Sequence, residues 1–224
     1  MEKTVEKVMI TPINVIVDTG CANLSSVKFA VERLGFTAII TDDIEQIKAA
    51  DKVIFPGVGN AKHAMANIIE KGLVDTLQHL TQPVLGFCLG MQLMTESSTE
   101  GISSTESSQQ SSVKCLNIIP TKVAPLNAQG NRLPHMGWNT LTTVANHPVL
   151  KGISVGDYFY FVHSFAAPLS EYTLATCQYG SEFSAIIGKD NFIGCQFHPE
   201  RSGALGSKII KNFLELNAQE IASL

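Results

Sequence analysis

The first part of the chain alternates between short β-branched apolar runs and stretches with apolar residues at helical spacing. Asn14 to Asp18 (NVIVD) reads as a strand, and Leu24 to Leu34 as a helix that Gly35 stops. A second strand begins at Thr37 to Ile40, and Asp42 or Asp43 caps a helix reaching Ala50. Lys52 to Phe55 (KVIF) is a third strand, halted by Pro56-Gly57. A helical stretch from Ala61 to Leu80, broken at Gly72, leads to a fourth strand, Pro83 to Phe87. Strands alternating with helices at this spacing predict parallel βαβ units, which bind ligands at the carboxyl ends of their strands.

The texture changes after Met94. Ser97 to Ser112 holds eight serines and no apolar periodicity, so it reads as a loop. Strand-like pieces then recur at Thr121 to Pro125, Tyr158 to His163, Thr173 to Gln178, Ser184 to Ile187 and Phe192 to Phe197, which suggests antiparallel additions to the same sheet. Gly203 to Leu216 closes as an amphipathic helix with Leu205, Ile209, Phe213 and Leu216 on one face. The expected fold is α/β, a mostly parallel central sheet with helices on both faces and antiparallel additions, in one domain. That domain spans 14–217, between an N-terminal extension (1–13) and a C-terminal tail (218–224).

Composition narrows the function classes. With 224 residues, 45% hydrophobic and 16% charged, the chain can bury a continuous core, and disorder or coiled coil is excluded. Net charge is −4 and no Lys/Arg cluster could neutralise a run of phosphates, which argues against nucleic-acid binding. No apolar run approaches the roughly 20 residues that cross a bilayer, and the start lacks a signal peptide's apolar block, so a cytoplasmic protein is expected. Cys21, Cys88, Cys115, Cys177 and Cys195 form no CxxC pair and are odd in number, which points to reduced thiols rather than a metal site or disulfides.

One of these thiols stands apart. Gly86-Phe87-Cys88-Leu89-Gly90 follows a buried strand and precedes a helix starting near Met91, the setting of a nucleophile elbow. The glycines relieve crowding at a strained turn, the helix start favours a thiolate, and the Leu89 N–H faces a developing oxyanion. Gln196-Phe197-His198-Pro199-Glu200 supplies a histidine at a strand end with a carboxylate two residues on, able to fix its tautomer. Pro56-Gly57-Val58-Gly59 allows a peptide N–H to approach a ligand closely. Taken singly, each segment also suits an ordinary turn or a packed residue.

In this order, PGVG, GFCLGMQ and QFHPE resemble the class I glutamine amidotransferases. Asp18 to Leu24 (DTGCANL), Pro134 to Asn139 (PHMGWN), Tyr160 to Ser164 (YFVHS) and Arg201 to Gly203 further resemble the branch that serves as glutaminase subunits of imidazole glycerol phosphate synthases in histidine biosynthesis. The match runs from Asn14 to Asn217. Thr19 and Ala22 stand where that branch often has Tyr and Gly, and Arg201 where it often has Lys.

The resemblance implies Cys88 as nucleophile, His198 as general base and acid, and Glu200 as its orienter. It implies an oxyanion hole from Leu89 and the Gly57-Val58 peptide, and glutamine contacts from Gly59, Gln92, Glu100, Ser164 and Phe165. Asn23, Trp138 and Arg201 would face a partner, a (β/α)8-barrel cyclase, with no cofactor and no metal. On composition alone the single tryptophan, Trp138, would be core, and His163 a packed histidine. Rival readings are a glutaminase for another synthase such as anthranilate synthase, an idle regulatory subunit on the same fold, and a cysteine peptidase. The HMGWN segment speaks against the first, the intact Cys88, His198 and Glu200 against the second, and the lack of any peptide-cleft feature against the third.

Overall fold

A computed structural model of the chain describes residues 12–20, 23–101 and 112–221. Most of the N-terminal extension, Cys21, Ala22, the greater part of the serine-rich segment and the last three residues of the tail lie outside the described residues.

The first part builds β1 (Asn14–Val17), α1 (Leu24–Arg33), β2 (Ile39–Thr41), α2 (Ile44–Ala49), β3 (Lys52–Gly57), α3 (Ala61–Glu70), α4 (Val74–Gln78), β4 (Val84–Cys88) and α5 (Leu89–Leu93). Strands β5 (Thr95–Ser98), β6 (Val113–Lys114), β7 (Ile119–Pro125), β8 (His135–Val144), β9 (Tyr158–His163), β10 (Phe165–Ala166), β11 (Thr173–Tyr179), β12 (Ser181–Lys189) and β13 (Phe192–Cys195) follow. Helix α6 (Gly203–Leu214) and the short turn α7 (Ala218–Ile221) come last. Nine strands form one sheet in the order β2-β1-β3-β4-β13-β12-β11-β8-β9, and four form a second in the order β10-β7-β5-β6.

Alternation along the central strands feeds two cores, one on each face of the large sheet. Val15 and Val17 of β1 and Val53 and Phe55 of β3 pack with Ile47, Met65, Ile68 and Leu77 of α2, α3 and α4. Ile16 and Ile54 point the other way, with Val27 and Val31 of α1 and Ile209 and Phe213 of α6. Such double burial is why these strands read as continuous apolar runs. The caps agree with the sequence: Asp43 accepts from Gln46 N at 2.9 Å, and Gly35 adopts a φ of +85°.

Several expectations are corrected. Strand β3 runs on through Pro56 and Gly57, because beyond Ile54 it pairs only with β4 and a missing N–H costs no ladder bond on the β1 side. Strand β13 is parallel to β4 and antiparallel only to β12. Thr121 to Pro125 belongs to the small sheet, beside β5, which occupies Thr95 to Ser98 where the serine-rich loop was expected to begin. Small polar side chains hide that strand: Ser98 is fully buried, and Thr95 donates from Oγ1 to Gln92 O at 2.7 Å. Helix α5 starts at Leu89, directly after Cys88, and α6 ends at Leu214 rather than Leu216. Among the described residues no helix is long and apolar enough to cross a membrane.

Candidate active site

Cys88 ends β4 with φ +49° and ψ −107°, a left-handed conformation that costs a non-glycine residue about 1–3 kcal/mol and persists only where packing enforces it. The two glycines of the motif permit that packing. A Cβ on Gly90 would drive into the Phe55 carbonyl, and one on Gly86 would meet Met91 N at 2.8 Å. On the neighbouring strand, a Cβ on Gly194 would strike Met91 Cγ at 2.6 Å. The start of α5 is thus pressed onto β3, β4 and β13, which turns the Cys88 side chain out of the sheet.

Parallel pairing of β13 with β4 sets Cys195 opposite Phe87, so the chain leaving β13 passes beside the elbow. Gln196 donates from Nε2 to Cys88 Sγ at 3.8 Å. His198 is anchored by its own backbone: its N–H donates to Tyr160 O at 2.9 Å, and its carbonyl accepts from Ser202 Oγ at 2.7 Å. Pro199 opens a short 3-10 turn that brings Glu200 back, with Oε1 accepting from His198 Nδ1 at 2.9 Å. The Nδ1 proton then leaves Nε2 for the thiol. Burial opposes charge on this imidazole, yet the hydrogen bonds and charges of Cys88 and Glu200 outweigh it and lift His198 to about 10.

Cys88 and His198 line a cavity of about 260 Å³ together with Val58, Gly59, Leu89, Gln92, Glu100 and Ser164. Leu89 opens α5, so its N–H has no acceptor within the helix. Gly57 sits opposite Cys88 in the sheet, and Gly59 has φ +101°. Gln92 is buried and donates from Nε2 to Phe165 O and to Gln196 Oε1, each at 3.0 Å, so its carbonyl oxygen is what it can offer a ligand. Burial raises Glu100, against the Ala61 N–H that bonds it, and its Oε2 is buried with no partner. Gly57, Phe165 and Glu200 stand behind the lining rather than in it.

The cavity wall also includes Pro134, Val162 and His163. Pro134 and Val162 fall in the PHMGWN and YFVHS segments, neither of which by itself marks a pocket residue. His163 closes the aromatic strand β9, a position that sequence alone reads as packed.

Of the residues assigned to a partner face, Trp138 is 55% exposed on β8, edge-on to Tyr160 at 6.0 Å, and so does not belong to the core. Met136 and Tyr158 lie exposed beside it on β8 and β9. Asn23 is exposed and caps α1 by accepting from Ser26 N at 3.3 Å, and Arg201 is exposed at the end of the 3-10 turn.

The family described as Glutamine amidotransferase class-I matches residues 15–216. The chain belongs to the class I glutamine amidotransferases. Within this family it is 76% identical over 213 residues to the imidazole glycerol phosphate synthase subunit HisH of Colwellia psychrerythraea, covering 93% of this chain and 95% of that one. It is 56% identical over 211 residues to the subunit of the same name from Shewanella oneidensis, covering 90% and 95%. Among solved structures, PurLQS from Thermotoga maritima superposes with a TM-score of 0.63 at 17% identity, covering 92% of this chain and 98% of that one. A second, titled a glutamine amidotransferase, gives 0.66 at 18%, covering 94% and 99%. At such identities these last two speak for the fold.

Among the described cysteines of this class I amidotransferase, Cys88 is the one that lines the cavity. Burial pushes the Cys115 and Cys177 thiols up to about 12 and raises Cys195 as well, which makes them poor nucleophiles. Cys21 lies outside the described residues.

Proposed function

We propose that this chain is the glutaminase subunit of an imidazole glycerol phosphate synthase, releasing ammonia from L-glutamine through Cys88, His198 and Glu200 and passing it to a (β/α)8-barrel cyclase in histidine biosynthesis. The observation that carries the reading is the strained elbow that turns Cys88 into the same cavity as a histidine already oriented by a buried carboxylate. We assign the activity to residues 14–217.

The chemistry follows from the groups. The Cys88 sulfur attacks the side-chain amide carbon of glutamine, and the amide oxygen gathers negative charge that Leu89 N–H and the Gly57-Val58 peptide stabilise, about 3–4 kcal/mol for each donor. His198 gives its proton to the departing nitrogen, so ammonia leaves and a γ-glutamyl thioester remains. A water that loses its proton to His198 then attacks the thioester, releasing glutamate and restoring the thiol. Glu200 holds the imidazole throughout. The unpartnered Glu100 carboxylate oxygen and the Gln92 carbonyl suit the α-ammonium group, and backbone at Gly59 and Ser164 suits the α-carboxylate.

Trp138, Met136 and Tyr158 form an exposed apolar group on β8 and β9, and β9 also carries Val162 and His163 of the cavity wall. We assign this face, with Asn23 and Arg201, to the cyclase. Glutamate release by the chain alone, with the cyclase, and with the cyclase and its nucleotide ligand tests the whole reading. The expected order is near silence, partial activity and full activity, with the Val58 peptide reoriented on docking. Equal rates in all three would favour a free-standing glutaminase, and no release in any would overturn the assignment.

A further inference from the structure

Along the cavity wall, a chain of hydrogen bonds runs from β8 through the Phe165 carbonyl to the nucleophile. His163 Nδ1 lies 2.9 Å from Phe165 O, a group that only accepts, so Nδ1 carries the proton. Burial lowers His163 to about 3 and His135 to about 4, which keeps both rings neutral with one N–H each. His163 Nε2 is therefore an acceptor, and His135 Nδ1, 3.0 Å away, must donate to it. That leaves His135 Nε2 to accept from Asn139 Nδ2 at 3.2 Å. Asn139 cannot turn around, because the same Nδ2 donates to Gln178 O at 2.9 Å and its Oδ1 accepts from Thr140 N at 2.8 Å. One proton arrangement satisfies every member.

The far end of this chain meets the ligand cavity. Phe165 O accepts from His163 and from Gln92 Nε2 together, using both of its lone pairs, and the other Gln92 proton goes to Gln196 Oε1, whose own amide reaches Cys88 Sγ. The bond from His163 to a carbonyl two residues on also closes a tight loop around Ser164, which lines the cavity. With both donors spent, Gln92 has only its carbonyl oxygen left for a ligand, and it lines the same cavity as Glu100. Two acceptor side chains lining one small pocket favour a cation.

We propose that His163, buttressed by His135 and Asn139, is a positioning residue that fixes the Phe165 carbonyl, and through it holds Gln92 with its oxygen toward the α-ammonium of the substrate. Its role is selectivity for an α-amino amide, exerted through the Phe165 carbonyl and Gln92. This rests on the glutaminase reading of the cavity.

The test measures kcat/KM, in the complex with the cyclase, for glutamine and for the analogue with hydrogen in place of the α-ammonium group. A hydrogen bond to a charged group contributes about 1.5–3 kcal/mol, so His163→Leu should cut the preference for glutamine about tenfold or more, mainly by raising KM for glutamine. His163→Asn, which keeps an N–H near the Nδ1 position, should recover most of it. A purely packing role gives the opposite ranking, since Leu fills an apolar site better than Asn. His135→Phe keeps the ring between Phe161 and Tyr179 but removes the donor, and should show a smaller loss. An unchanged preference in His163→Leu, or an Asn variant no better than Leu, would overturn the proposal. If His163→Leu does not fold, an unchanged preference in His135→Phe does so instead. Failure of the unmodified complex to release glutamate would overturn the glutaminase reading itself, a separate result.

Discussion

His198 and Glu200 are two residues apart, and their side chains meet at 2.9 Å across the turn that Pro199 opens. Pro199 cannot continue strand pairing, so the backbone bends where the carboxylate must return to the imidazole. Glu200→Gln replaces an acceptor that fixes the imidazole tautomer with an amide that can present its N–H instead. Glutamine hydrolysis should fall about 10²–10⁴-fold in kcat, with a smaller change in KM. Steady-state kinetics of the complex check this.

The same contact predicts a pH dependence of stability. His198 is raised from 6.5 to about 10 by Cys88 and Glu200, against burial. A raised folded-state value gives stability that is full below about 6.5 and is lost as pH rises through about 10. Denaturant unfolding should therefore show stability declining across that alkaline window, with a shallower decline in Glu200→Gln. An equal slope in both proteins would contradict the assigned contact.

Gly90→Ala places a methyl group against the Phe55 carbonyl, a backbone atom that cannot step aside. It should cost about 1–3 kcal/mol or more and abolish turnover, because the start of α5 can move only by displacing Cys88 and Leu89. Gly35→Ala, with nothing within 4 Å of its added Cβ, serves as the control and should lose only the backbone preference for φ +85°. Thermal melts and activity on both variants separate the two.

Trp138→Ala should leave the melting temperature of the chain nearly unchanged, since the ring is 55% exposed, yet weaken cyclase binding by about 2 kcal/mol or more if the ring anchors the interface. Tryptophan fluorescence on titration with the cyclase reads binding of the unmodified chain, and calorimetric titration reads that of the variant, which has lost the single tryptophan. A large loss of thermal stability with unchanged binding would return Trp138 to a packing role.

The parallel half of the fold is legible because β1, β3 and β4 are buried on both faces and so spell uninterrupted apolar runs. Strand β8 is not legible, because its pattern is inverted: Met136 and Trp138 point outward while His135 is buried in an aromatic stack. Strand β5 is missed for a related reason, its buried positions being Thr and Ser. In the candidate site, Gly86, Cys88 and Gly90 and the His198-Pro199-Glu200 turn are local devices, so a short segment carries the whole signal. The place of His163 in the cavity wall depends on β9 lying against the chain that leaves β13, through the bond from His198 N to Tyr160 O, and no neighbouring residue encodes that contact.

The most direct measurement compares two nitrogen sources in the Cys88→Ala variant paired with the cyclase. Only a sulfur at the elbow can form the thioester, so glutamine-dependent synthesis should be abolished while synthesis from free ammonia continues at the rate of the unmodified complex. Cys115→Ala and Cys177→Ala should keep both. Glutamine turnover in Cys88→Ala would contradict the account.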